Sequence, residues 1–114
     1  AIFLGDYGDP GDPVMSKVLH SYSPYHNVRE GTAYPAVYQV FGEADLSCLP
    51  FHGRKFAAAL RAASTSGRPV HLRVWKDVGH GAPDPAVRAR QAAEWLAFVM
   101  QQLDLPYRPP DTPE

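Results

Sequence analysis

Cysteine is almost missing from this chain: Cys48 is the only one in 114 residues, so no internal disulfide can close and no multi-cysteine zinc site can form. A single thiol fits a reducing compartment, and a cytoplasmic location is the default expectation. An excess of charge of either sign is also missing. Eleven Lys and Arg stand against twelve Asp and Glu, for a formal net charge of -1, which gives no field to hold a nucleic-acid backbone or an anionic membrane surface. Long apolar runs are absent as well, the stretches around 57–60 and 96–100 being far shorter than the roughly 20 residues of a bilayer span. A soluble chain with no nucleic-acid and no membrane partner is expected. The opening residues, Ala1-Ile2-Phe3-Leu4-Gly5-Asp6, carry neither a starting Met nor a basic leader, and are expected to lie within a longer protein. No internal repeat or low-complexity block is visible.

What is present is an ordinary globular composition, 45% hydrophobic and 20% charged, enough for one modest core and for one domain or part of one. Asp12-Pro13 is a helix-start signal. The Asp side chain accepts from free N–H groups of the first turn, and proline follows where no N–H is needed. The helix is expected over 13–22, stopped by Ser23-Pro24, with an irregular or extended segment over 25–28 and a turn at Glu30-Gly31-Thr32. The run 36–41, Ala-Val-Tyr-Gln-Val-Phe, predicts a central strand covered on both faces. Pro50 opens a helix over 51–64 with Phe56, Ala59, Leu60 and Ala63 on one face, and Ser66-Gly67-Arg68-Pro69 ends it. A second strand is expected over 70–75. After a loop over 76–83, Asp84-Pro85 repeats the cap signal, and a long helix over 87–103 is expected to bury a stripe of Ala92, Ala93, Leu96, Val99, Met100 and Leu103.

The organisation that follows is α/β: a helix and loop over 1–34, a β-α-β-α core with parallel strands over 35–105, and a surface tail over 106–114 that holds four prolines. Two parallel strands fall below the three or more normally needed for independent stability. Further strands are therefore expected from an upstream segment or from a second copy of the chain.

Asp45 sits just past the end of the first strand and His80 just past the end of the second. In a parallel sheet the carboxyl ends of the strands share one crevice. An Asp in that place also suits a turn or helix cap, and a histidine between Gly79 and Gly81 also suits a flexible turn. As a pair on adjacent β-α loops they can meet, as the acid and the base of a hydrolase triad must. In that fold the chain order is Ser, then Asp or Glu, then His, and Asp45 before His80 fits its last two places. The nucleophile does not fit. None of Ser16, Ser21, Ser23, Ser47, Ser64 and Ser66 lies in a Gly-x-Ser-x-Gly elbow, and Ser47 and Cys48 follow Asp45 in the chain and lack the elbow.

The segments Tyr22-Ser23-Pro24-Tyr25-His26-Asn27-Val28, Tyr34-Pro35-Ala36, 42–52, Arg54-Lys55-Phe56-Ala57-Ala58-Ala59-Leu60 and Val78-Gly79-His80-Gly81 run in an order that resembles the C-terminus of prolyl oligopeptidases, over nearly the whole chain. The resemblance implies a partial α/β-hydrolase fold, its C-terminal portion. It puts Asp45 and His80 in the places of the triad aspartate and histidine, with the serine elbow shortly upstream of Ala1. It further implies a serine peptidase that cleaves short peptides, after proline or after other residues, beneath a β-propeller domain. Two departures stand out. Ser47 replaces the arginine that the family usually carries two positions after the aspartate to hold the substrate backbone, so no substrate-binding residue is assigned. The loop past His80 runs directly into Pro83-Asp84-Pro85.

No cofactor and no metal are expected. His20, His26, His52 and His71 show no His-Glu-x-x-His pattern and no paired cysteine spacing, and His26 and His52 are expected to satisfy local backbone groups. The tyrosines and tryptophans are expected to pack rather than bind. The expected function is the C-terminal segment of a prolyl oligopeptidase-like serine peptidase, supplying Asp and His and inactive alone. The alternative is a stand-alone, non-catalytic relic that self-associates or binds a partner. A peptide substrate is expected only when an upstream hydrolase segment completes the site.

Overall fold

A computed structural model describes residues 4–109; the expectations for residues 1–3 and 110–114, part of the tail, lie outside the described residues. A short helix α1, Leu4–Tyr7, precedes α2, Pro13–Tyr22. The first of these was not expected. Asp12 caps α2 through Oδ1, which accepts from the backbone N of Val14 at 2.8 Å and of Met15 at 2.9 Å, with Pro13 in the first turn. The other end of α2 is closed by a side chain from beyond it. Asn27 Nδ2 donates to the carbonyls of His20, Ser21 and Ser23 at 2.9, 3.2 and 2.8 Å. That folds Tyr25–Asn27 into a 3-10 turn where an extended or irregular segment was expected.

Strands β1, Val37–Gly42, and β2, Val70–Trp75, pair in parallel, Val37 opposite Val70 through Gly42 opposite Trp75. Helix α3, Phe51–Ala63, makes the crossover between them, and α4, Pro85–Gln102, follows β2 behind its cap Asp84. The β-α-β-α order and parallel pairing are those expected.

Successive residues of a strand face opposite sides, and the two sides of this sheet differ. One side carries Val37, Val70 and Leu72, which pack with Ala57, Leu60 and Phe56 of α3 into the core. Gly53 lets α3 come close, since a Cβ there would run into the Phe41 ring; a helical glycine costs about 1 kcal/mol, and the close layer contact offsets it. Arg61 fastens the far end, Nε and Nη2 both donating to the Val70 carbonyl at 3.0 and 2.7 Å. The other side carries Tyr38, His71 and Arg73, which meet α4 through polar and aromatic contacts. Arg73 and Tyr38 donate to Glu94 at 2.9 and 3.2 Å, and Phe98 packs on the rings of Tyr38 and His71.

This polar side corrects the expected burial of α4. Ala93, Leu96 and Leu103 are exposed, and no residue of α4 is buried, because the sheet offers α4 a guanidinium and two polar rings rather than an apolar floor. The expected cover of β1 on both faces is incomplete, because the contacts of α4 fall on Tyr38, His71 and Arg73 and leave Val40 exposed.

Candidate active site

Gly42 ends β1 and is the tightest point of the site. A Cβ on it would collide with the backbone carbonyls of Val78 and Gly79, so only glycine lets the loop after β2 lie against the loop after β1. Two backbone hydrogen bonds close this approach: Glu43 N donates to the Trp75 carbonyl at 2.8 Å and Ala44 N to the Val78 carbonyl at 2.9 Å. The two loops that follow consecutive parallel strands are thus laced together before any side chain takes part.

On this lacing Asp45 and His80 meet. Asp45 is buried, at 5% exposure, and its carboxylate accepts three hydrogen bonds from neighbouring groups. Oδ1 accepts from the backbone N of Ser47 and of Cys48, both at 2.8 Å, in the local turn that an Asp at this place favours. His80 Nδ1 donates to Oδ2 at 3.0 Å. The Cys48 N–H, then His80 and the Ser47 N–H, hold the carboxyl below its ordinary value against the opposing effect of burial. An ionised carboxylate can only accept, so Nδ1 carries the hydrogen and Nε2 keeps its lone pair.

His80 itself stands out at the rim, its side chain 67% exposed. Gly81 N donates to the Gly79 carbonyl at 2.9 Å, a three-residue turn with His80 at its apex, and Gly81 has φ +108°, a conformation that suits glycine. A hollow of about 490 Å³ opens beside the pair and is lined also by Cys48, Val78 and Gln91. The arrangement can hold an imidazole in one tautomer, take a proton on Nε2 and stabilise the resulting cation.

The structure brings together Asp45 and His80, and adds the main-chain N–H groups of Ser47 and Cys48, which the sequence reading did not foresee; only the strand-end position of the Asp hinted at such a turn. It also adds Gly42, whose need comes from the distant carbonyls of Val78 and Gly79. His26 and His52 do not serve backbone groups as expected. His26 Nδ1 shares a hydrogen bond with the Ser23 hydroxyl at 2.8 Å and its ring packs on His20, while the His52 ring packs on Phe51. Among the described residues no helix is long and apolar enough to cross a membrane.

Parallel strands joined through α3 and followed by α4, with functional groups on the loops at their carboxyl ends, define the C-terminal part of an α/β-hydrolase fold. The profile of the prolyl oligopeptidase family matches residues 4–105, and the chain belongs to that family. It is similar to a prolyl endopeptidase of Elizabethkingia miricola, 34% identical over 102 residues, covering 88% of this chain and 14% of that protein. It is 45% identical over 104 residues to an uncharacterized peptidase of Sinorhizobium fredii, covering 90% of this chain and 14% of the other. Among solved structures it superposes on a prolyl endopeptidase with a TM-score of 0.84 at 33% identity, covering 91% of this chain and 16% of that one. It superposes on oligopeptidase B from Leishmania major with a TM-score of 0.85 at 26% identity, covering 93% and 15%. The chain thus spans about one seventh of the length of these relatives, 14% in the first.

Proposed function

We propose that this chain supplies the acid and the base of a prolyl oligopeptidase-like serine peptidase, Asp45 and His80, to a serine carried by another segment of polypeptide. The observation that carries the reading is the hydrogen bond of His80 Nδ1 to the buried, ionised Asp45. In the reaction so assigned, His80 Nε2 takes the proton of the serine hydroxyl as its oxygen attacks the scissile carbonyl. The imidazolium returns that proton to the leaving amine, and Asp45 stabilises the cation in between. The histidine repeats the exchange with water when the acyl-enzyme is hydrolysed. Family membership supports a peptide substrate, and Ser47 in place of the usual arginine leaves backbone recognition to other groups.

A fluorophosphonate probe tests the assignment. The 114-residue chain alone should not be labelled, and mixing it with an upstream segment that carries the serine elbow should give labelling that is lost on His80→Ala. Stoichiometric labelling of the chain by itself would contradict the proposal. A second reading, a non-catalytic relic acting through self-association, draws support from the open sheet edges and the exposed Leu96 and Leu103.

A further inference from the structure

Cys48 stands beside the Asp45–His80 pair, and the acid–base reading gives its thiol no task. One ligand atom each from Asp45, Cys48 and His80 lies within 4.8 Å of the other two. The three donors are a thiol sulfur, an imidazole nitrogen and a carboxylate oxygen, a mixture that suits a borderline-soft divalent ion and discriminates against magnesium and calcium, which prefer oxygen alone. We infer that Asp45, Cys48 and His80 form a binding site for a zinc-like divalent cation, with the fourth tetrahedral position left to water.

Three features of the site support this beyond proximity. The Ser47 and Cys48 N–H groups both hold Oδ1 of Asp45, which fixes the carboxylate plane and presents Oδ2 to the others, the kind of outer-shell support that ligating carboxylates usually have. Cys48 and His80 are exposed while Asp45 is buried, so a cation has an entry path and an anchored floor. The rearrangement required is small. Ligands about 2.0–2.3 Å from zinc stand about 3.3–3.8 Å apart in a tetrahedron; the three donors already lie within 4.8 Å of one another, so the exposed thiol and imidazole adjust by side-chain rotation, and the Oδ2–Nδ1 pair, now hydrogen-bonded at 3.0 Å, opens slightly to admit the cation.

Proton bookkeeping gives the consequence. The thiol releases its proton to solvent on binding. If the imidazole ligates through Nε2, its only free lone pair is taken. If it ligates through Nδ1, the hydrogen moves to Nε2, which then can only donate. Either way His80 has no nitrogen left to accept a proton, so cation binding and general-base action exclude each other. That exclusion rests on the acid–base reading of His80, whereas the site does not.

The test is calorimetric titration of the 114-residue chain with Zn²⁺ alone, together with titration with Co²⁺ followed by absorbance. One equivalent should bind, with a thiolate-to-cobalt charge-transfer band. Loss of an outer-shell partner alone costs roughly 10–100-fold in metal affinity, so Cys48→Ser and His80→Ala should each weaken Zn²⁺ at least tenfold, and Cys48→Ser should abolish the band. His20→Ala with His26→Ala, which removes a pair of imidazoles packed on each other, should leave the band and the affinity unchanged. Absence of the band, or an affinity unaltered by Cys48→Ser, overturns the inference. Because these readouts need neither serine nor substrate, a chain that binds Zn²⁺ but gives no His80-dependent labelling with the upstream segment fails the catalytic reading alone.

Discussion

Asp45 brings together burial and ionisation, which oppose each other in an isolated carboxylate and are reconciled here by two main-chain N–H groups and one imidazole. Its carboxyl is held below the ordinary 3.8, so the linked contribution to stability is fully present above that value and is lost as pH falls through the lowered folded value. Asp45→Asn keeps an acceptor for the Ser47 and Cys48 N–H groups but cannot be ionised. Urea unfolding of the chain and of Asp45→Asn, compared at a series of pH values and matched concentration, should show the parent more stable above pH 3.8, with the gap closing as acid is added. A gap that stays constant into acid would mean that the carboxylate is not held in this way. At this scale the sequence is informative where chemistry is local. The Asp past β1 and the His between two glycines are visible as strand-end residues. The need for Gly42 is not visible, because it arises from backbone atoms of residues 78 and 79, more than thirty positions away.

Helix boundaries are written locally, in the pairs Asp12-Pro13 and Asp84-Pro85, and both begin helices at the proline. The face a helix buries is not written locally. The apolar stripe expected on α4 assumed an apolar floor, whereas the sheet presents Tyr38, His71 and Arg73, so α4 is held by Glu94 and Phe98. Likewise the 3-10 turn at Tyr25–Asn27 depends on Asn27 reaching back to three carbonyls, an arrangement that strand or loop propensity cannot reveal. The Glu94 contacts make a prediction at this scale. Tyr38 has its phenol raised by burial first and by the Glu94 carboxylate second, so Glu94→Gln should move its titration toward the ordinary 10.0. The same change should cost no more than about 1 kcal/mol, the scale of an exposed ion pair, and should speed hydrogen exchange in α4 while leaving β1 and β2 as before. Ultraviolet titration and amide exchange check the two halves; an unmoved Tyr38 would show that Glu94 does not face it in solution.

The described residues do not form a compact body. Their radius of gyration is 18.0 Å, with extents of 66 × 36 × 20 Å, against about 13 Å for a compact domain of this length. Among the described residues the core cluster is Ala57, Leu60 and Val70 with its half-buried neighbours, and the sheet has two strands, each with an unpaired outer edge. Strand edges of this kind are templates for further pairing, and the exposed Val40, Trp95, Leu96 and Leu103 add apolar area beside them. Gln39 Nε2 and Trp75 Nε1, both on the strands, are buried without a hydrogen-bond partner. Two parallel strands and a three-residue core do not offset the conformational entropy of ordering more than one hundred residues. Isolated, the 114-residue chain should therefore associate with itself. Sedimentation velocity over a dilution series should show a weight-average mass that rises with concentration, and an upstream hydrolase segment added in excess should replace self-association with a mixed complex, because both compete for the same edges and faces. A monomer at every concentration, melting cooperatively, would mean that these edges are satisfied within one chain.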